Sequence, residues 1–137
     1  YGSARRNSNG IEYNRAMLLL AVLEKRGGMS VSGCDAYINV VGGLQLDEPA
    51  ADLATLLAVA SSFRDMPISS DVAAVGEVGL SGEVRSVQQL NLRLSEIARL
   101  GFRRCIIPAH VKGDVLQPDG LELIRVKNVR EAIKAAL

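Results

Sequence analysis

Apolar positions along the chain change their period several times, and each change marks an element. From Ile11 to Arg26 the apolar residues Ile11, Met17, Leu18, Leu20, Ala21, Val22 and Leu23 recur at helical spacing. Asn9 is placed to cap that helix, and Gly27-Gly28 ends it after the cationic Lys25-Arg26. Asp35 to Val41 alternates and is β-rich, so it reads as a strand stopped at Gly42-Gly43. Ala51 to Phe63 is apolar nearly all round, which predicts a helix buried on most sides. Asp47 or Glu48 can cap it, Pro49 suits its first turn, and Asp52 complements its dipole. Val72 to Val87 reads as two short strands in a hairpin turning through Gly79 and Gly82. A helix from Gln88 to Leu100 ends at Gly101. Strands follow at Arg104–Ile107 and Leu121–Val126, and a helix from Val129 to Leu137 closes the chain. This alternation predicts one two-layer α/β domain with a mixed sheet over residues 10–137. Residues 1–9 are polar and aperiodic and read as a flexible basic arm.

Composition narrows this picture. A chain of 137 residues with 48% hydrophobic and 23% charged residues is an ordinary globular domain. No apolar run reaches the ~18 residues of a membrane span, and no signal-peptide pattern is present. The chain opens at Tyr1 rather than Met, so a piece of a longer protein is expected. Cys34 and Cys105 both sit in strand-like runs and read as reduced core thiols of a cytosolic protein. With His110 the only histidine, they do not compose a zinc site.

The net charge of +1 hides a segregation. Residues 1–29 carry five cations against two anions, residues 30–92 two against eight, and residues 93–112 five against one. Two basic segments flanking an acidic middle suit an anionic partner on one side and a charge-complementary neighbour on another. A merely mixed, solvated surface is the plain alternative.

Three stretches, in order, resemble the proteolytic domain of the Lon family. They are the helix start Glu48-Pro49-Ala50-Ala51-Asp52, the run Gly76-Glu77-Val78-Gly79-Leu80-Ser81-Gly82-Glu83-Val84, and Leu100-Gly101-Phe102-Arg103-Arg104-Cys105-Ile106-Ile107-Pro108. The resemblance implies an α/β (α+β) fold of the Lon proteolytic type, which is ribosomal protein S5 domain 2-like. It also implies a serine–lysine dyad whose serine falls on Ala50 and whose lysine falls on Arg93. Alanine has no hydroxyl to attack a peptide, and arginine stays protonated and cannot serve as base. The scaffold is expected without the chemistry. Arg93 then reads as an ion-pair partner of Asp52 or Glu48, or as a DNA or subunit contact.

A finer match spans essentially the whole chain. Arg5-Arg6, Gly10-Ile11-Glu12-Tyr13-Asn14-Arg15, Leu18 to Arg26 and Ala60-Ser61-Ser62-Phe63-Arg64-Asp65 resemble the C-terminal Lon-like domain of the RadA (Sms) family of bacterial DNA-repair proteins. That resemblance implies a larger cytoplasmic, nucleoid-associated parent with a zinc element and a RecA-like ATPase using ATP and Mg, which assembles as a hexameric ring and drives branch migration of recombination intermediates. The chain itself holds no Gly-x-x-x-x-Gly-Lys-Ser/Thr loop and no Cys-x-x-Cys pair, so no cofactor is expected in it. It further implies DNA contact by arginines, here Arg5, Arg6, Arg103 and Arg104, with Arg15 and Arg93 secondary. Guanidinium groups pair with phosphates bidentately, and a chain with no Trp and five Phe and Tyr residues lacks stacking platforms. Sequence-tolerant, salt-dependent backbone binding follows. Two other readings remain open: a purely structural oligomerisation module without nucleic-acid role, and a peptidase with an unorthodox nucleophile. Ser61 and Ser62 read as bonded back to the helix backbone, Ser81 as a turn residue without a base, and His110 as a plain surface histidine.

Overall fold

The structure, a computed structural model, describes residues 4–40 and 46–137. Strand β1 (Arg6–Asn9) and strand β2 (Ala36–Asn39) pair in parallel, Arg6 opposite Ala36 and Asn9 opposite Asn39, with helix α1 (Tyr13–Lys25) between them. The stretch expected as a flexible arm is therefore a strand from Arg6 onward. Its polar side chains give no periodic signal, but its backbone is satisfied by β2: Ala36 N donates to Arg5 O at 2.7 Å and Val40 N to Asn9 O at 2.9 Å. Asn9, engaged in this ladder, does not cap α1; Glu12 occupies the cap position. The buried stripe of α1 is Ala16, Leu19, Leu20, Val22 and Leu23. Its end is closed by Gly27 N and Met29 N, both donating to Leu23 O at 3.1 Å. A Cβ on Gly27 would lie 2.9 Å from that same carbonyl, so glycine is required there. The expected stop of β2 at Gly42-Gly43 lies outside the described residues.

A 3₁₀ turn (Pro49–Ala51) leads into helix α2 (Asp52–Arg64). As expected, Glu48 caps this start, its carboxylate accepting from Ala50 N at 3.4 Å. Leu53, Leu56, Leu57 and Ala60 are buried. The helix is not buried on most sides, however: Ala54, Ala58, Ser62 and Phe63 face outward. Packing against α1 and the final helix uses one side of α2, and the small residues of the other side give no sequence signal of which way they point.

Strand β3 (Val72–Ala74), strand β6 (Arg104–Pro108) and strand β7 (Glu122–Val126) form a parallel sheet in the order β3-β6-β7, while β4 (Glu77–Val78) and β5 (Val84–Arg85) form an antiparallel pair. The expected α/β class stands, with parallel and antiparallel pairings segregated into separate ladders instead of one mixed sheet. The expected hairpin over Val72–Val87 is split. The chain leaves β3 at Val75-Gly76, where Gly76 N donates to Ala50 O and Leu53 N to Gly76 O, both at 3.0 Å. These bonds hand the strand over to the start of α2, and only Glu77–Arg85 makes the hairpin. Helix α3 (Leu90–Arg99) stops at Gly101, whose φ of +96° suits glycine. Helix α4 (Val129–Ala136) is capped by Asn128, whose side chain accepts from Glu131 N at 2.9 Å.

The parallel sheet is covered on both faces, as parallel sheets require. Ile106, Ile124, Val72 and Ala74 face the cluster built by α1, α2 and α4, whereas Cys105, Ile107, Leu123 and Ala73 face Leu90 and Leu94 of α3. The two-residue strand period thus sorts one sheet between two cores.

Cysteine placement departs from expectation at one position. Cys105 is a core residue of β6, and burial pushes its thiol up to about 12. Cys34 is exposed in the turn before β2, because the β-rich run begins only at Ala36. Thiol-specific labelling of the native protein at pH 8 is expected to modify Cys34 and spare Cys105, with both reacting after denaturation. Peptide mapping of the labelled protein checks this; prompt native labelling of Cys105 would contradict the described core.

Candidate functional site

The resemblance sets the dyad's serine at Ala50, just before α2, and the structure buries that position. Ala50 keeps only 5% exposure and shares a hydrophobic cluster with Val75, Leu90, Leu94, Cys105, Ile107 and Leu121. Its carbonyl is taken by Gly76 N. The methyl group is a packing element between the 3₁₀ turn and α3.

Arg93 lies on α3 between Leu90 and Leu94, the two buried residues that α3 gives to that cluster. Its guanidinium reaches back to the same turn: Nη2 is 3.2 Å from Glu48 Oε1, and Nε donates to Gln88 O at 2.8 Å. Of the two carboxylates anticipated as its partner, Glu48 is the one found. Positions 50 and 93 are therefore linked through one carboxylate: Glu48 both caps the turn at Ala50 N and holds Arg93. A methyl and a permanently charged guanidinium offer neither nucleophile nor base.

The other anticipated carboxylate, Asp52, is engaged elsewhere. At 3% exposure it is the buried charged residue among those described. Its Oδ1 accepts from Arg15 Nη1 at 2.5 Å and its Oδ2 from Val78 N at 3.1 Å. One carboxylate so ties the first turns of α1 and α2 to β4. Arg15, read from the sequence as a secondary DNA contact, has its guanidinium engaged in this internal pair. Two polar residues on otherwise apolar helix faces were the signal that could have revealed it.

The remaining arginines divide by what they touch. Arg5 is exposed, and among the described residues only its backbone is engaged, N donating to Asp35 Oδ1 at 2.7 Å. Arg6 donates through Nη2 to Val31 O at 2.8 Å and Ser32 O at 3.3 Å, bracing the turn before β2. Arg103 is exposed, whereas Arg104 pairs with Asp71, Nη2 to Oδ1 at 3.4 Å. The Asp71 carboxyl is held below its usual range first by the Ser69 hydroxyl, which donates to it at 2.6 Å, and then by Arg104. Arg103 and Arg104 share a shallow recess with the acids Asp71 and Glu122. The two arginine pairs stand on different sheets, at β1 and β6.

The hydroxyls and the histidine take ordinary places. Ser61 Oγ donates to Met66 O at 2.6 Å, beyond the helix end instead of back into it, and Ser62 is exposed. Ser81 N donates to Glu83 Oε1 at 3.1 Å in the hairpin turn, and His110 is exposed. Among the described residues no group of three or more His, Cys, Asp or Glu side chains converges on a common point suited to a metal ion, and no helix is long and apolar enough to cross a membrane.

Comparison with known proteins places this geometry. Residues 31–137 match the Lon protease (S16) C-terminal proteolytic domain. The whole chain is similar to proteins named DNA repair protein RadA. It is 50% identical to that of Bacillus subtilis over all 137 residues, which make up 30% of the relative's length. Identity is 46% over 137 residues with the Synechocystis relative, of which the chain covers 27%, and 41% over 134 residues with that of Streptococcus pneumoniae, of which it covers 32%. The chain thus spans about a third of the length of these relatives.

Removing one half of the Asp52 pair should be costly. Arg15→Ala is expected to destabilise by about 3 kcal/mol, the low end for breaking a buried pair, because the Arg15 side chain keeps 31% exposure. Asp52→Ala should be at least as severe, since it also strands Val78 N. Urea unfolding of both single variants and the double variant checks this, and a double effect equal to the sum of the singles would show that the two side chains do not interact.

Proposed function

The chain belongs to the Lon protease (S16) C-terminal proteolytic domain family, and on that premise we propose that it has exchanged peptide cleavage for binding DNA. In this reading it is the non-proteolytic Lon-like part of a RadA-type DNA-repair ATPase, located in the cytoplasm. There it contacts the DNA backbone and helps assemble the hexameric ring that drives branch migration. ATP, Mg and zinc belong to the rest of that longer protein. The observation that carries the reading is the joint of buried Ala50 and ion-paired Arg93. Acyl transfer needs a hydroxyl or thiol beside a group able to take its proton, and this position offers a packed methyl beside an ion-paired guanidinium. The full-length similarity to proteins named for DNA repair supports the nucleic-acid role.

Among the arginines singled out in the sequence, Arg5 and Arg103 are the best suited to phosphate, being exposed and in no ion pair among the described residues. Arg6 and Arg104 contribute less, because each already serves protein acceptors. The outward apolar face of α2, with Ala54, Ala58 and Phe63, supports self-association.

Fluorescent duplex and branched DNA titrated at several salt concentrations tests the proposal. Retention at low salt is expected, with log affinity falling linearly against log salt. Arg5→Ala and Arg103→Ala should each lower that slope by about 1. No casein hydrolysis is expected, including after Ala50→Ser, because Arg93 cannot act as base. Absence of DNA retention at low salt, or cleavage by the unaltered chain, would overturn the reading.

A further inference from the structure

The C-terminal ends of α1 and α2 meet α4 around a concave recess of about 480 Å³. Three cations line it: Arg64 from the last turn of α2, and Arg130 and Lys134, four positions apart on α4 and so on one helix face. All three side chains are exposed, and none forms an ion pair among the described residues. That separates them from Arg15, Arg85, Arg93, Arg99 and Arg104, each of which has a carboxylate partner.

The acids close by in sequence are turned to other work or stand outside the recess. Glu131 accepts from Lys127 N at 2.8 Å at the start of α4, and Glu24 accepts from Ser32 N at 2.8 Å. Asp65 is not among the lining residues. The floor is Gly27-Gly28, and the Arg130 guanidinium lies 3.8 Å from where a Cβ on Gly28 would stand. At exposed Gly28 the absence of a side chain leaves the backbone open to close approach. Three like charges around one hollow repel each other unless an anion sits among them.

We propose that this recess binds the phosphodiester backbone of a nucleic acid, through two or three consecutive phosphates of one strand. The inference rests on the DNA-binding reading above and assigns it residues that the sequence motifs did not mark. A nucleic-acid strand supplies a regular row of charges at short intervals, which matches three cations around one hollow. Arginine forks grip phosphate oxygens bidentately, while the lysine adds a point charge. The site is sequence-blind, because nothing on the recess walls offers an aromatic ring for base stacking.

The test compares the 137-residue chain with the variants R64A/R130A/K134A and R130Q/K134Q, each first shown to keep the parent's circular dichroism and melting profile. Fluorescent DNA is titrated from low to moderate salt, with poly-glutamate as a second probe. The triple variant should lose about 2 to 3 from the log–log salt slope and at least tenfold in affinity at low salt. The milder polar pair, chosen to fold if the triple variant does not, should lose about 2 from the slope. If the parent chain binds DNA and both variants keep its affinity and slope, the recess is not the contact and the proposal falls while the DNA-binding reading survives. If the parent chain does not bind DNA, both fall. If the substitutions abolish poly-glutamate binding and leave DNA binding intact, the recess takes acidic protein and the proposal is overturned.

Discussion

The buried carboxylate of Asp52 is the interaction on which the arrangement turns. It begins α2, the helix that touches α1, α4 and the β4 hairpin. One oxygen takes the Arg15 guanidinium and the other the Val78 backbone N–H. Desolvating a charge is expensive, and such pairs add little net stability compared with apolar packing of the same shape. What this one supplies is register. It allows α1 and α2 to lie together only with their first turns adjacent, and it fixes where the hairpin meets them. The backbone bonds linking Gly76 to Ala50 and Leu53 act on the same turn, so the entry to α2 is determined three times over.

That rigidity bears on chemistry. A nucleophile must be reachable by substrate and its base must be able to change protonation state. This turn presents packing and pairing instead. Ala50 fills a cluster between the turn and α3, and Arg93 closes the same contact by holding Glu48. Restoring a hydroxyl would place it against Leu90 and Leu94 beside a group that never gives up its proton.

Much of this was legible in the sequence where the signal is local. The periods of α1 and α4, the Glu48 cap, the stop at Gly101 and the strands at 104 and 121 lie within two or three residues of expectation, since each depends on neighbours along the chain. Failures concentrate where the partner is distant. Residues 6–9 became a strand only because β2 satisfies their backbone, and a polar tetrapeptide announces no such partner. The run from Val72 broke in two because Gly76 is claimed by the start of α2. Arg15 looked like a surface cation until Asp52, distant in sequence, reached it. Cys34 was drawn into a strand by the β-rich residues after it, whereas its own turn holds it exposed.

The same pairing that aligns α1 with α2 also separates charge. With their N-termini together, the acids Asp47, Glu48 and Asp52 gather at one end of the two helices, and Lys25, Arg26 and Arg64 at the other. Each group complements the helix dipole it sits on, so the segregation favours the fold as well as any ligand. In α4 the same rule accounts for Glu131 in the first turn and Lys134 in the last, but not for Arg130. Arg130 lies in the first turn, where a cation opposes the dipole, and Lys134, favourably placed in the last turn, stands on the same side of the helix. Both face the hollow already lined by Arg64. A fold optimised for stability alone would place an acid at that first-turn position. The unfavourable cation there is what distinguishes a surface shaped for an external anion from one shaped by the helices themselves.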